Sequence, residues 1–164
     1  MTLMKLILGE LQHESQNTFR ILERVPADKL DWTPHPKSMS LGRLASHLAT
    51  LPAGCKRMLE SGVFDVTGAR PPAPADVPAA ELYQKNIADL REYLGTLTDE
   101  NLNEPFTMMK GDEVVRQMIK GLMLRIVFLN HSVHHRGQLS VYLRLLDVPL
   151  PALYGTSADE NPYA

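Results

Sequence analysis

The chain has 164 residues, 44% hydrophobic and 22% charged, with a formal net charge of −2 and a pI near 6.3. That length fits one domain over residues 1–164 whose core needs no disulfide or metal staple, and the ordinary composition excludes disorder and fibrous repeats. With no basic excess and no run of positive charge to neutralise phosphates, nucleic acid is not an expected partner.

The first segment, Met1 to Glu10, carries a single Lys and no small-residue cleavage site, so it does not read as a signal peptide and a cytoplasmic location is expected. From Thr2 to Val25 the apolar residues Leu3, Leu6, Ile7, Leu11, Ile21, Leu22 and Val25 recur at helical spacing, with Glu10, Glu14, Glu23 and Arg24 between them. This predicts a long amphipathic helix that ends at Pro26. The run Trp32-Thr33-Pro34-His35-Pro36 cannot continue it, because its prolines remove donors and push their predecessors to extended geometry. Ser40 is a suitable N-cap for a second helix with Leu41, Leu44, Ala45, Leu48, Leu51, Met58 and Leu59 on one face, which Pro52 is expected to kink. Cys55, the only cysteine, lies in this helix as a packed apolar thiol; internal disulfides and cysteine-based zinc knuckles are excluded.

The stretch Gly62 to Pro78, rich in Gly and Pro, suits a long crossover outside a bundle. A third helix follows over residues 79–97, with Leu82, Tyr83, Ile87, Leu90, Leu94 and Leu97 in phase. Between Asn101 and Gln117 two apolar arms flank Lys110-Gly111-Asp112, a pattern open to a short hairpin or to an early start of helix four. The last helix is expected from about Met118 to Leu146, before Pro149 and Pro151. Its apolar runs Leu122–Leu124 and Ile126–Leu129 are broken by Arg125 and end at Asn130, far short of the roughly 18 residues of a membrane span, so no membrane is expected. The fold class is therefore all-α: a four-helix bundle, with a short hairpin or irregular segment admitted before the last helix.

Six histidines punctuate the chain, and three crowd into Asn130-His131-Ser132-Val133-His134-His135-Arg136-Gly137-Gln138. Residues four apart on a helix lie about 40° apart around the axis, so His131 and His135 aim at one point while His134 diverges. Two buried neutral imidazoles are satisfied either by a shared divalent cation or by one core hydrogen bond and one solvent-facing ring. Ser132 stands where a HExxH metalloprotease has its Glu, so that chemistry is not supported. His47, amid Leu44, Leu48 and Leu51, is either a satisfied core residue or a third ligand from a facing helix. His13 and His35 read as surface or loop residues. Glu14 is a candidate base or hydrogen-bond acceptor beside such a site, or else a salt-bridged residue. Arg136 and Gln138 shape a pocket or a contact, with a surface ion pair as the simpler reading of Arg136.

Taken together, Trp32-Thr33-Pro34, Ser38 to Ser40 leading into Leu41-Gly42-Arg43-Leu44-Ala45-Ser46-His47-Leu48, the His134-His135-Arg136-Gly137-Gln138-Leu139 run with Tyr142-Leu143-Arg144, and Val148-Pro149 to Tyr154-Gly155 with Ser157-Ala158-Asp159-Glu160 resemble the DinB/YfiT-like superfamily of bacterial metalloenzymes. The resemblance implies a four-helix bundle with a divalent metal, zinc or nickel, on His47, His131 and His135, frequently in a homodimer. It also implies a metal-dependent thiol S-transferase-like enzyme acting with a low-molecular-weight thiol on an electrophilic small molecule. The alternative is a non-catalytic metal-binding or interaction protein of the stress response. Self-association is expected through the apolar stripe Leu122, Ile126, Leu129 and Val133, extended by Val141 and Leu145.

Overall fold

The structure, a computed structural model, describes residues 2–68 and 77–164. Helix α1 spans Leu3–Leu22 and buries Met4, Ile7, Leu11, Thr18, Ile21 and Leu22 along one side. Its first amides are satisfied twice over: the Thr2 hydroxyl accepts from Lys5 N at 3.3 Å, and the Asp99 carboxylate accepts from Leu3 N at 3.1 Å and Met4 N at 2.9 Å. A 3-10 turn, Ala27–Lys29, then leads into the proline loop. The loop is tied to the next helix by Leu41 N donating to Trp32 O and Gly42 N to Leu30 O, each at 2.8 Å. Glycine at 42 eases this close approach, because a Cβ there would stand 3.0 Å from Leu30 Cβ and 3.1 Å from Leu30 O.

Helix α2, Leu41–Ser61, begins at the expected Ser40 cap, continues through the buried Pro52 and stops at Gly62, whose φ of 69° is the left-handed geometry of a helix C-terminus. Helix α3 spans Ala79–Gly95 and the short α4 Asp99–Asn103. After the hairpin described below, α5 (Lys120–Met123) runs into a π-helical segment, Leu124–Leu129, and then into α6, Asn130–Leu145. Helices α1 and α2 each pack on both α3 and α6, so the bundle goes round in the order α1, α3, α2, α6. One apolar core joins them, with Leu48 and Leu59 of α2, Leu90 and Leu94 of α3 and Leu139 and Leu143 of α6 wholly buried. Among the described residues no helix is long and apolar enough to cross a membrane.

The all-α expectation is corrected by a three-stranded sheet in the order β1-β2-β3. Strands β2 (Pro105–Lys110) and β3 (Glu113–Ile119) form the antiparallel hairpin that the sequence admitted, turning at Gly111 with φ of 59°. Met118 and Ile119 therefore end a strand and do not open the last helix. Strand β1, Val63–Asp65, lies in the stretch read as a plain crossover and pairs in parallel with Thr107–Met109. Its hydrogen-bonding partners lie more than forty residues downstream, so no local periodicity marks it. The rest of the predicted crossover, residues 69–76, lies outside the described residues.

Asp99→Ala removes the distant acceptor of two α1 amides and is expected to cost about 1 kcal/mol. In thermal denaturation this reads as a fall in Tm of roughly 2–4 °C at this chain length.

Candidate metal centre

Helix α6 turns about 100° per residue, so consecutive side chains have different surroundings. Its buried line runs through Ser132, Leu139 and Leu143. On the wheel, His131 and His135 stand roughly 100° and 60° to one side of Ser132, and Arg136 about 40° to the other. The histidine flank faces α2, where the Tyr142 hydroxyl donates to Met39 O at 3.2 Å just before that helix begins. His47 sits on the matching flank of α2, beside the wholly buried Leu44 and Leu48.

The three rings converge. Both His47 Nε2 and His135 Nε2 lie 3.1 Å from His131 Nε2, and the three candidate ligand atoms are all within 4.8 Å of one another. The rings stand nearly perpendicular, with interplanar angles of 87–89°. A tetrahedral ion with Zn–N distances of ~2.0–2.1 Å spaces its ligand nitrogens about 3.3 Å apart, so this donor set fits a divalent cation. His135 is buried, His47 and His131 half-buried. Burial pushes the His135 imidazole below its usual pKa and the neighbouring His134 adds to the shift, against the opposing bond to Gln138. The neutral ring thus favoured is the form that binds a cation. On the far side of that ring, Nδ1 lies 2.7 Å from Gln138 Oε1.

The remaining candidates fall elsewhere. His134 is exposed, its ring 5.0 Å from that of His135 and outside the convergence. His13 packs 6.1 Å from Tyr154 with its Nε2 3.3 Å from Asn17 Nδ2, and His35 lies in the exposed proline loop. Cys55 is buried in α2, its thiol pKa pushed far up by desolvation, so it packs without acting as a nucleophile.

Glu14 takes its salt-bridged reading. Its carboxylate pairs with the Arg136 guanidinium on the α1 flank of α6, across that helix from the triad. The simpler reading of Arg136, a surface ion pair, gives way to a buried one, because this side chain is only 2% exposed. Its Nη1 donates to Glu14 O at 2.9 Å and Thr18 Oγ1 at 3.0 Å, while Nη2 meets the Glu14 carboxylate and the Tyr154 hydroxyl. Tyr154 donates in turn to Glu14 Oε2 at 2.6 Å. Desolvation lowers the Arg136 pKa, and the Glu14 charge counters it. Tyr154 entered the sequence analysis only as part of the segment Val148-Pro149 to Tyr154-Gly155 that carries the family resemblance, with no role assigned to its hydroxyl.

The DinB family model matches residues 1–162. An uncharacterized Bacillus subtilis protein, YrdA, is 24% identical over 155 residues, which cover 93% of this chain and 89% of that protein. The crystal structure of the DinB-like protein YjoA from Bacillus subtilis superposes with a TM-score of 0.70 at 20% identity, over 89% of this chain and 95% of that one. A DinB-like protein from Bacillus cereus ATCC 10987 gives 0.71 at 23% identity, over 90% and 95%. These likenesses support the fold.

Glu14→Ala strands a buried guanidinium and is expected to destabilise the protein by about 3–5 kcal/mol. Chemical denaturation checks this, and Glu14→Ala combined with Arg136→Met is expected to recover much of the loss.

Proposed function

Because the chain belongs to the DinB family, and because His47, His131 and His135 bring three imidazole nitrogens to one point, we propose that it is a metal-dependent enzyme whose divalent cation, zinc or nickel, is held by those three residues. The convergence of the three Nε2 atoms is the observation that carries this reading. Held by these three residues, such an ion would supply the Lewis acidity that lowers the pKa of a low-molecular-weight thiol towards neutrality. The half-exposure of His47 and His131 gives a small thiol and an electrophilic partner access to that point. The reaction class is S-transfer, in which the thiolate sulfur would bond to the electrophilic carbon of its partner as that carbon's bond to its leaving group breaks and the leaving group departs with the bonding electron pair. A cytoplasmic setting, where small thiols stay reduced, suits it.

A second reading has its own support. With Glu14 committed to Arg136, the one carboxylate considered as a base is turned away from the triad. That favours a non-catalytic metal-binding or interaction protein in which the ion staples α2 to α6. Cobalt substitution separates the two: a catalytic site shifts its visible spectrum with azide or a thiol, and a closed structural site does not.

We also infer a homodimer. Leu122, Ile126 and Val133 are exposed, as are Val141 at 57% and Leu145 at 59%. Leu129, expected in the same stripe, is 2% exposed and belongs to the core. A two-fold pair places one patch against its own copy, so an introduced charge counts twice. Sedimentation at micromolar concentration is expected to give a dimer for the natural chain and monomers for folded Ile126→Glu or Leu145→Glu.

Titration with zinc in competition with a chelator is expected to give one ion per chain. His135→Ala weakens binding by orders of magnitude and His134→Ala by no more than a few-fold. Affinity falls as the pH is lowered into the range where imidazoles protonate, because the ligand nitrogens must be unprotonated to bind, and the lowered pKa of His135 moves its share of that loss to more acidic pH.

A further inference from the structure

We propose that Gln138 is a positioning residue of the triad: its side-chain carbonyl accepts the Nδ1 proton of His135 and so keeps the Nε2 lone pair of that ring aimed at His131 and His47. The use of that lone pair rests on the metal-site reading; the proton's place on the ring does not.

The argument starts from the chemistry of the two groups. A neutral imidazole carries one N–H and one lone pair, and an amide oxygen only accepts. At 2.7 Å from Gln138 Oε1, His135 Nδ1 must therefore be the protonated nitrogen. This leaves Nε2 as an acceptor, 3.1 Å from His131 Nε2 and within the triad's span. Gln138 follows His135 by three residues, so its side chain stands one turn along on the same flank of α6, reaching the ring edge away from the triad. A ring held in the ligating tautomer needs no proton rearrangement before it binds a cation, and a donated Nδ1 proton makes Nε2 more basic.

The choice of amide over carboxylate has a consequence of its own. A carboxylate in this place would hold the same tautomer and also add a negative charge beside the triad, whereas the amide orients the ring without lowering the site's charge. A bound cation then keeps more of its acidity.

The test is a long-range proton–nitrogen NMR correlation on metal-free protein labelled with 15N-histidine, near pH 8, with His135 assigned by loss of its signals in His135→Asn. The natural chain is expected to show His135 protonated at Nδ1. Gln138→Leu is expected to lose that preference and Gln138→Glu to restore it. In zinc competition Gln138→Leu weakens binding roughly 10–100-fold, with the melting temperature of the metal-free protein unchanged, while Gln138→Glu binds at least as tightly as the natural chain. Protonation of His135 at Nε2 in the natural chain overturns the proposal, and so does an Nδ1 preference that survives in Gln138→Leu. Should Gln138→Leu fail to fold, the natural chain and Gln138→Glu decide alone: Nδ1 protonation in both supports the proposal and any other result overturns it. A natural chain that binds no divalent ion but shows the Nδ1 tautomer defeats the metal reading and leaves the positioning intact.

Discussion

The Arg136 side chain is 2% exposed, so its guanidinium is cut off from bulk solvent, and the arrangement around it follows from that fact. Desolvating such a charge costs several kcal/mol, which only a counter-ion and a full set of acceptors offset. Glu14 and Thr18 supply them from α1, and Tyr154 from the tail after α6. One side chain thereby ties α6 and the tail after it to α1, more than a hundred residues away in sequence. It also fixes the rotation of α6 about its axis, since any turn of the helix would draw the charge away from its acceptors. The tail is further fastened by polar contacts: Glu160 accepts from Arg20 at 2.5 Å and Arg24 at 2.6 Å, and Asp159 from Arg144 at 2.5 Å. The hydrogen bond from Arg144 holds the Asp159 carboxyl below its usual range.

Rotation of α6 matters because the segment before it is not a regular α-helix. Across Leu124–Leu129 the backbone is π-helical, and Asn130 N donates to Arg125 O, five residues back. Each residue in a π-turn advances the side-chain direction by less than an α-helical residue does. A stripe projected at 100° per residue therefore drifts out of phase, which is why Leu129 turns into the core while Ile126 and Val133 remain outside. π-Turns carry no hydrophobic period of their own, so the sequence offers nothing from which to read this one. His131 and His135 lie just beyond it, where regular α-helical phase resumes, and their relative directions were legible for that reason.

The same distinction separates what the sequence discloses from what it does not. Helices α1, α2 and α3 and the Ser40 cap follow from spacing and local chemistry, as does the meeting of His131 with His135. His47 joins them only through the packing of α2 on α6, which no local pattern encodes; its apolar neighbours showed that it faces inward, and the family resemblance supplied the rest. Strand β1 depends on a partner distant in sequence, and the burial of Arg136 depends on Glu14 lying 122 residues away. Local rules place an arginine at the surface, and only the tertiary pairing overrides them.

Three adjacent residues of α6 show how that pairing bears on the site. His134 faces solvent, His135 the triad and Arg136 the opposite flank, because each step turns the direction by about 100°. Arg136 is nonetheless within about a helix diameter of the triad. An uncompensated positive charge about 10 Å from a divalent ion, at an effective dielectric of about 20, would oppose binding by about 3 kcal/mol. Glu14, paired with Arg136, cancels most of that field at its source. The carboxylate that the sequence offered as a base therefore lies on the other flank of the helix, where it neutralises a charge that would repel any cation at the triad.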